Sequence, residues 1–170
     1  MSLGILTDPN ISGLLGEILE RQGQICLVAR GSCMSPDILP GDTIVVRKVP
    51  SSSLQIGAIV LSASPIGTPV SHRIVGFTRM NDERHVLLRA DQLKAPVETV
   101  PDYDVIGKVI NVRRDDGRSI NMGCLTYTIN AFLRALVLLC VHCMRTKMVT
   151  LWVKVARVVQ RITSMLESPL

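Results

Sequence analysis

Three residues whose types together can cleave a peptide bond occur in order along the 170-residue chain: a cysteine, a histidine and an aspartate. Cys33 lies in the turn-rich stretch GSCMSPDILPGD, residues 31–42. A sharp bend there exposes a small side chain and turns backbone N–H groups towards a developing oxyanion, as a nucleophile requires. The alternative interpretation is that Cys33 is a small core residue in an ordinary turn.

A base and an orienting carboxylate for this nucleophile follow in the sequence. His72 lies in the strand-like run PVSHRIVG, and Asp91 ends the run LLRADQ. In a nucleophile–His–Asp arrangement the imidazole takes the proton of the nucleophile, and the carboxylate holds the other ring nitrogen. Asp91 is our choice for that carboxylate. Asp102 and Asp104, in VPDYD, are the alternatives, although Asp102 follows a proline and also fits a turn.

The elements that must position these residues are one helix and a series of short strands. Apolar residues at helical spacing, with Asn10 as a cap and Gly23 as a stop, predict a helix over residues 11–22. Beyond it, short Val- and Ile-rich segments alternate with Pro, Gly and Ser clusters, which predicts an all-β unit. The predicted strands are 25–29, 43–49, 58–62, 71–78, 85–89 and 105–113.

Length and composition narrow the classes of protein to which the chain can belong. A chain of 170 residues fits one domain with an appendage, which we divide into an N-terminal helix (1–23), a β-rich core (24–117) and a helical tail (118–170). Aromatic residues make up only 3% of the sequence, so stacking platforms for nucleic acid are not expected. The five cysteines do not form a repeated metal-binding pair, so we predict neither a metal nor a cofactor.

Four ordered sequence boxes resemble those of the signal peptidase superfamily. The resemblance covers about residues 24–113 and begins with a Gly-x-nucleophile-Met-x-Pro motif followed by Gly-Asp. Cys33 stands where the family has serine. The matching positions are Gly31, Cys33, Met34, Pro36, Gly41 and Asp42, then His72-Arg73-Ile74-Val75, then Ala90-Asp91, and finally Val105-Ile106-Gly107-Lys108.

The resemblance implies a fold and an activity. No lysine lies between Lys48 and Lys94, so the base is His72, as in the archaeal and endoplasmic-reticulum-type signal peptidases. The implied fold is α+β, with a mainly-β protease core, an N-terminal helix and a C-terminal helical pair. The implied activity is endopeptidase cleavage of signal or leader peptides, with Cys33 as nucleophile and its backbone N–H in the oxyanion hole. A β-rich groove of this kind takes an extended peptide as an added strand.

The thiol leaves two functions open. With reference pKa values of about 8.5 for a thiol and about 6.5 for an imidazole, a Cys–His pair can form a thiolate–imidazolium nucleophile. The alternative is a catalytically inactive relative that binds peptides or a membrane partner. Labelling of Cys33 by a covalent probe, in a manner that requires His72, separates the two.

The tail carries all the excess positive charge of the chain. Residues 1–121 contain 13 basic and 13 acidic residues, whereas residues 122–170 contain six basic residues and one acid, Glu167. Residues 125–143 form an apolar stripe interrupted by Asn130 and Arg134, which makes a marginal spanning helix. The next segment, from Met148 to Leu166, has an apolar face and a basic face, as in helices that lie on anionic bilayers.

These patterns predict where the protein resides. The N-terminus lacks a basic start followed by an apolar run, so no signal peptide is expected and the catalytic part is predicted to be cytoplasmic. The C-terminal region is predicted to associate with a membrane, either peripherally or as a single span. The alternative is that both tail helices form a hairpin packed on the β unit.

Overall fold

The computed structural model describes residues 11–64, 67–92, 94–124, 127–144 and 147. It has an antiparallel eight-stranded sheet and two helices, which confirms the predicted α+β, mainly-β class. Helix α1 (Ile11–Gln22) covers the predicted range. Helix α2 (Tyr127–Met144) is the first predicted tail helix. The second predicted tail helix, beginning near Met148, lies outside the described residues.

Six of the eight strands fall on the predicted segments, with ends that differ by at most two residues. Strands β6 and β8 are additions that we did not predict, because one ends in a proline and the other has only three residues. In chain order the strands are β1 (Gln24–Val28), β2 (Thr43–Arg47), β3 (Ile59–Ser62), β4 (Val70–Met80), β5 (Glu83–Arg89), β6 (Val97–Pro101), β7 (Val105–Arg113) and β8 (Ser119–Asn121).

The sheet is organised around β7 and has β1 and β6 at its edges. The strand order is β1-β2-β7-β3-β4-β5-β6, and β8 pairs with β7 beside the main path. Gly107 allows the close packing of β7 on β2, since a Cβ there would lie 2.8 Å from Val46 Cγ1 and 2.9 Å from the carbonyl oxygen of Arg47. Steric crowding therefore explains why the fourth sequence box has a glycine at this position.

The two faces of the sheet bury separate cores. Along β3, Ile59 and Leu61 enter one cluster, while Val60 enters another, because successive strand residues point to opposite faces. The first cluster also contains Leu19 of α1. Helix α1 thus packs on the first face and supports the β1–β2 end of the sheet.

The backbone of helix α2 packs directly against the connection between β2 and β3. Its residues Ala135 and Leu138 form a third buried cluster with Val75 of β4. A Cβ added to Gly57 would lie 2.8 Å from the carbonyl carbon of Ala131, so only glycine fits under the helix. At least this part of the predicted tail is therefore joined to the β unit.

Candidate functional site

The stretch GSCMSPDILPGD forms a closed loop between β1 and β2, which we call the motif loop (residues 31–42). At its neck, the N–H of Ala29 donates to the carbonyl of Asp42, and the N–H of Gly41 donates to the carbonyl of Ala29, each at 2.8 Å. The Asp42 carboxylate accepts the N–H of Leu39 at 2.8 Å. Gly41 has φ 94°, which glycine adopts without strain. The Gly-Asp pair of the motif therefore closes the loop.

Two apolar side chains fix the motif loop to the first core cluster. Met34 and Ile38 are both buried there, and the N–H of Ile38 donates to the carbonyl of Met34 at 3.0 Å. Cys33 lies beside them and is only partly buried. The methionine of the motif thus acts as an anchor that places the thiol at the margin of the core.

The Cys33 residue bridges the ends of β4 and β5. Its Sγ lies 3.7 Å from the carbonyl oxygen of Ser71, which precedes His72 in β4. Its own carbonyl accepts the N–H of Asp91 at 3.0 Å, just after β5 ends. The structure therefore brings Cys33 into contact with the backbone just before the predicted base, His72, and with the backbone of the predicted carboxylate residue, Asp91.

His72 meets a carboxylate that we did not predict. Its Nδ1 lies 3.2 Å from Oε2 of Glu98 in β6, and its side chain is only 12% exposed. The register Ile74↔Leu88↔Glu98 places Glu98 on the face of the sheet that His72 shares with Ile74. In the described part of the chain, the other ring nitrogen, Nε2, has no hydrogen-bond partner.

Asp91 binds Arg73 instead of His72. Its Oδ1 accepts from Arg73 Nε at 2.7 Å, and its Oδ2 accepts from Nη2 at 2.6 Å. Arg73 follows His72 in β4 and therefore points to the opposite face, which is the face that Asp91 reaches. In this structure the carboxylate within hydrogen-bonding distance of His72 is that of Glu98 and not that of Asp91.

The two alternative acids also lie away from the imidazole. Asp102 and Asp104 form the 3₁₀ turn between β6 and β7, and the carbonyl of Asp104 accepts the N–H of Ala63 at 3.0 Å. No hydrogen bond joins either carboxylate to His72 within the described residues. The turn interpretation of Asp102 agrees with this position.

Arg73 is the centre of a buried polar cluster that joins β4, the motif loop and α2. It is fully buried, and besides Asp91 it donates to the carbonyl of Gly57 at 2.7 Å and to Asp37 Oδ2 at 2.8 Å. Asp37, in the motif loop, also accepts from the Tyr127 hydroxyl at 2.9 Å and from Arg134. The motif loop is thus tied to α2 through one carboxylate.

Ionisation in this cluster follows from its pairing. Burial alone would raise the pKa of Asp37, but the hydrogen bond from Tyr127 and the charges of Arg73 and Arg134 outweigh it and hold this pKa below its usual value. Burial, together with the negative charge of Asp37, raises the pKa of Tyr127 to about 12. The carboxylate is therefore charged at neutral pH, and the phenol is a neutral donor.

Whereas the pKa of Asp37 is lowered, that of the Cys33 thiol is raised. Burial, followed by the negative charges of Asp91 and Glu98, raises its pKa above the ordinary value, while the backbone N–H groups of Cys33 and Met34 act in the other direction. Because its pKa is raised, the thiol is neutral at neutral pH. The same N–H groups lie where a negative charge near the sulfur would be stabilised.

A pocket of about 370 Å³ lies between the motif loop and α2. It begins at Ser35, two residues after Cys33, and its wall from α2 includes the apolar side chains of Leu133 and Val137. Asp91 forms part of the lining, with Arg134 on the α2 side. The pocket is therefore lined on one side by the motif loop at Ser35 and Pro36 and is largely apolar on its helical side.

Four residues of this region were not predicted from the sequence: Glu98, Asp37, Tyr127 and Arg134. Glu98 occupies the one strand that the patterns did not reveal in that region, and Asp37 lies inside the motif that we did identify. The sequence of β4 did contain a usable signal. Because side chains alternate between the two faces of a strand, His72 and Arg73 point in opposite directions, and one carboxylate cannot pair with both of them.

Comparison with known proteins adds no assignment. No protein-family model matches this sequence, and no curated protein is significantly similar to it. Helix α2 is the helix in the described part of the chain that is long and apolar enough to cross a membrane by length and composition.

Proposed function

We propose that this protein is a peptidase of the signal peptidase type, with Cys33 as nucleophile and His72 as base. The observation that carries the proposal is a pair of contacts. His72 contacts the Glu98 carboxylate through Nδ1, which leaves Nε2 available as a base, and the Cys33 thiol lies against the carbonyl of Ser71, the residue before His72. A base held by a carboxylate, with a thiol against the backbone of the preceding residue, supplies the three groups of a catalytic triad, and substrate binding must bring Sγ to Nε2. The four sequence boxes support the same assignment.

In the first step the thiol attacks the carbonyl carbon of the scissile peptide bond. The proton on Sγ passes to Nε2 of His72 as the carbon–sulfur bond forms, and the carbonyl electron pair becomes an oxyanion. The N–H groups of Cys33 and Met34 stabilise this charge. Attack requires the thiol to leave the Ser71 carbonyl, and such catalytic hydrogen bonds often tighten only in the substrate complex.

In the second step the peptide bond breaks and the enzyme is restored. The imidazolium of His72 protonates the leaving amine, and a thioester on Cys33 remains. Water then attacks the thioester and gives a proton to His72, and the peptide acid departs as the proton returns to the sulfur. Glu98 keeps Nδ1 protonated and holds the ring through both steps.

The neutral resting thiol determines the timing of proton transfer. Because the pKa of Cys33 is raised, few sulfurs are ionised before substrate binds. The proton therefore leaves during attack, as it does from a serine hydroxyl. A preformed thiolate–imidazolium pair is not part of this proposed mechanism.

The substrate is proposed to be an extended signal or leader peptide. Among the described residues, strand β1 is an edge of the sheet and runs directly into the motif loop, so a peptide added along this edge leads to Cys33. Along β1, Cys26 and Val28 are exposed at alternate positions and would present an apolar and a thiol surface to such a peptide.

The second candidate function is a non-catalytic peptide-binding module, and one observation supports it. The raised pKa of Cys33 and its hydrogen bond to Ser71 describe a thiol at rest, as expected if the chemistry had been lost. The edge strand and the pocket would remain available to a peptide. The two functions differ in whether His72 assists Cys33.

A peptidyl chloromethyl ketone tests that assistance, because it places an electrophile where the scissile carbonyl would lie. We expect modification of Cys33, mapped by mass spectrometry, to slow roughly tenfold or more in His72→Ala. The control is His85→Ala, since among the described residues the His85 ring bonds a backbone carbonyl in β5. Equal rates in the wild type and His72→Ala contradict the peptidase assignment and leave the binding module.

We also propose that the C-terminal region attaches the protein to a membrane. The proposal is supported by the six basic residues and single acid of residues 122–170 and by the apolar length of α2. Co-sedimentation of the full chain with anionic vesicles tests it. Recovery in the supernatant at both low and high salt contradicts it.

A further inference from the structure

On one exposed face of helix α2, all the large side chains are apolar. Helical positions advance by about 100° per residue, which places these side chains on one side of α2. Asn130 and Arg134 stand at the border of this side, and no charged residue lies within it. We call it the outer face. Its large residues are Ile129, Phe132, Leu133, Leu136, Val137 and Met144, which are between 39% and 65% exposed.

The opposite side of α2 is fastened to the β unit. Ala131, Ala135 and Leu138 are buried, and the backbone at Ala131 lies against Gly57. Arg89 of β5 donates to the carbonyl of Leu138. This inner face therefore faces protein along most of the helix, including polar groups that lipid could not replace.

Polar contacts also hold the first half of α2 in place. The Tyr127 hydroxyl and the Arg134 guanidinium both bind Asp37 of the motif loop. If α2 were to cross a bilayer, these contacts would break, so Asp37 would keep only Arg73 as a partner and Arg134 would enter the bilayer without a carboxylate. An unpaired charge within the hydrocarbon is strongly unfavourable.

We infer that α2 does not span a membrane but lies flat on an anionic one, with its outer face inserted among the lipids. The inference rests on the proposed membrane association and decides between the peripheral and spanning forms. An in-plane helix needs one apolar side and a protein or solvent side, which is the division that α2 has. It also accounts for an apolar patch that water would otherwise contact.

Charge favours lipid as the occupant of the outer face. Residues 127–147 contain no acid, and Arg145 and Lys147 follow the end of α2. Anionic headgroups would attract this end of the helix, and the attraction adds to insertion of the outer face. A second copy of the chain would instead bring two basic tails together.

The inferred orientation also has a consequence for the pocket beside the motif loop. Leu133 and Val137 belong both to the outer face and to the pocket wall. Insertion of α2 therefore places the pocket opening at the surface of the bilayer. If the peptidase proposal holds, peptides emerging from the membrane are the substrates that reach this pocket most directly.

Depth-dependent quenching tests the orientation in the full chain. In a Trp152→Phe background, single tryptophans are introduced by Ile129→Trp, Leu136→Trp or Met144→Trp, and vesicles of phosphatidylcholine and phosphatidylglycerol carry bromine near the headgroup or deep in the acyl chains. An in-plane helix gives similar, shallow depths at all three positions. A spanning helix places position 136 roughly 10 Å deeper than positions 129 and 144, because each residue rises about 1.5 Å.

The result that overturns the inference is a depth gradient, with position 136 quenched best by the deep bromines. If the chain sediments with vesicles but none of the three tryptophans is quenched, the outer face is covered by protein and the inference also fails. Mass measurement over a range of concentrations then identifies a second copy. If the chain does not sediment at all, the membrane association itself fails, which is a distinguishable outcome.

A matched pair of charge variants tests the outer face directly. Leu136→Lys places a charge on the outer face, whereas Val28→Lys places the same charge on an exposed residue of β1. We expect Leu136→Lys to weaken vesicle binding roughly tenfold and Val28→Lys to leave it unchanged, because an inserted lysine must be dehydrated. Equal binding by the two variants contradicts insertion of the outer face.

Discussion

His72 and Arg73 leave neighbouring positions of β4 on opposite faces of the sheet, and each meets a different carboxylate. The imidazole lies 3.2 Å from Glu98, while the guanidinium holds Asp91 at 2.6 and 2.7 Å. One face therefore holds the candidate base and its orienting acid. The other holds the buried cluster that fixes the motif loop and α2.

This division predicts different effects for removal of the two negative charges. Glu98→Gln should lower kcat by roughly a hundredfold, because an amide no longer stabilises the imidazolium and the correct tautomer. Its effect on the free energy of unfolding should be about 0–1 kcal/mol, since Glu98 is half exposed. Peptide cleavage and urea unfolding of the same preparation measure both quantities.

Asp91→Asn is the matched control for Glu98→Gln. It removes one partner of the fully buried Arg73, so the free energy of unfolding should fall by about 3–5 kcal/mol. If Asp91→Asn leaves stability intact but abolishes cleavage, while Glu98→Gln is fully active, the carboxylates have been assigned the wrong way round.

Gly57→Ala should loosen α2 from the β unit. The new Cβ would lie 2.8 Å from the backbone of Ala131 and Phe132, so the helix or the β2–β3 connection must shift. Gly117→Ala is the control, because Gly117 has a similar positive φ but nothing within 4 Å of the added atom. We expect Gly57→Ala to cost about 1–3 kcal/mol more than Gly117→Ala in urea unfolding. Equal costs would mean that α2 does not press on Gly57.

Stability should depend on the ionisation of Asp37. Its pKa is held below the ordinary carboxyl value of about 4, so its contribution is fully present above that pH and is lost as pH falls through the folded-state pKa. Asp37→Asn should therefore destabilise the protein at pH 7 and show a smaller further loss on acidification than the wild type. Parallel acid-induced losses in both proteins would assign the effect to other carboxyl groups.

The thiol of Cys33 should react like a buried thiol and not like a thiolate. In a variant whose other four cysteines are serine, the rate of iodoacetamide alkylation should rise at higher pH than that of a cysteine-containing peptide. Glu98→Gln should move the midpoint down, because it removes one of the negative charges that raise the pKa. Rapid alkylation of Cys33 below the midpoint of the peptide would support the preformed ion pair instead.

Local patterns were sufficient for much of the fold. The helix over residues 11–22 and six strands follow from apolar spacing and from Pro and Gly positions, which are properties of neighbouring residues. Strands β6 and β8 were not foreseen. Strand β6 lies at an edge and includes Pro101, and β8 has three residues, so neither has the long alternation that identifies a strand.

The carboxylate partners could not be predicted in the same way. The choice between Asp91 and Glu98 depends on how β4, β5 and β6 pair, and that register is set by contacts between residues far apart in sequence. The link from Asp37 to Tyr127 and Arg134 spans some 90 positions or more, and no local pattern marks it. By contrast, Cys33 and His72 could be selected as candidates because the motifs around them are compact.

Cleavage of a peptide by variants of Cys33 is the most direct test of the peptidase proposal. Extended leader-like peptides are incubated with the full-length wild type, Cys33→Ser and Cys33→Ala, and the products are followed by mass spectrometry. We predict that Cys33→Ser retains or increases cleavage, because the proton leaves during attack, and that Cys33→Ala loses it by more than roughly tenfold. Equal cleavage by the wild type and Cys33→Ala would contradict the assignment of Cys33 as nucleophile.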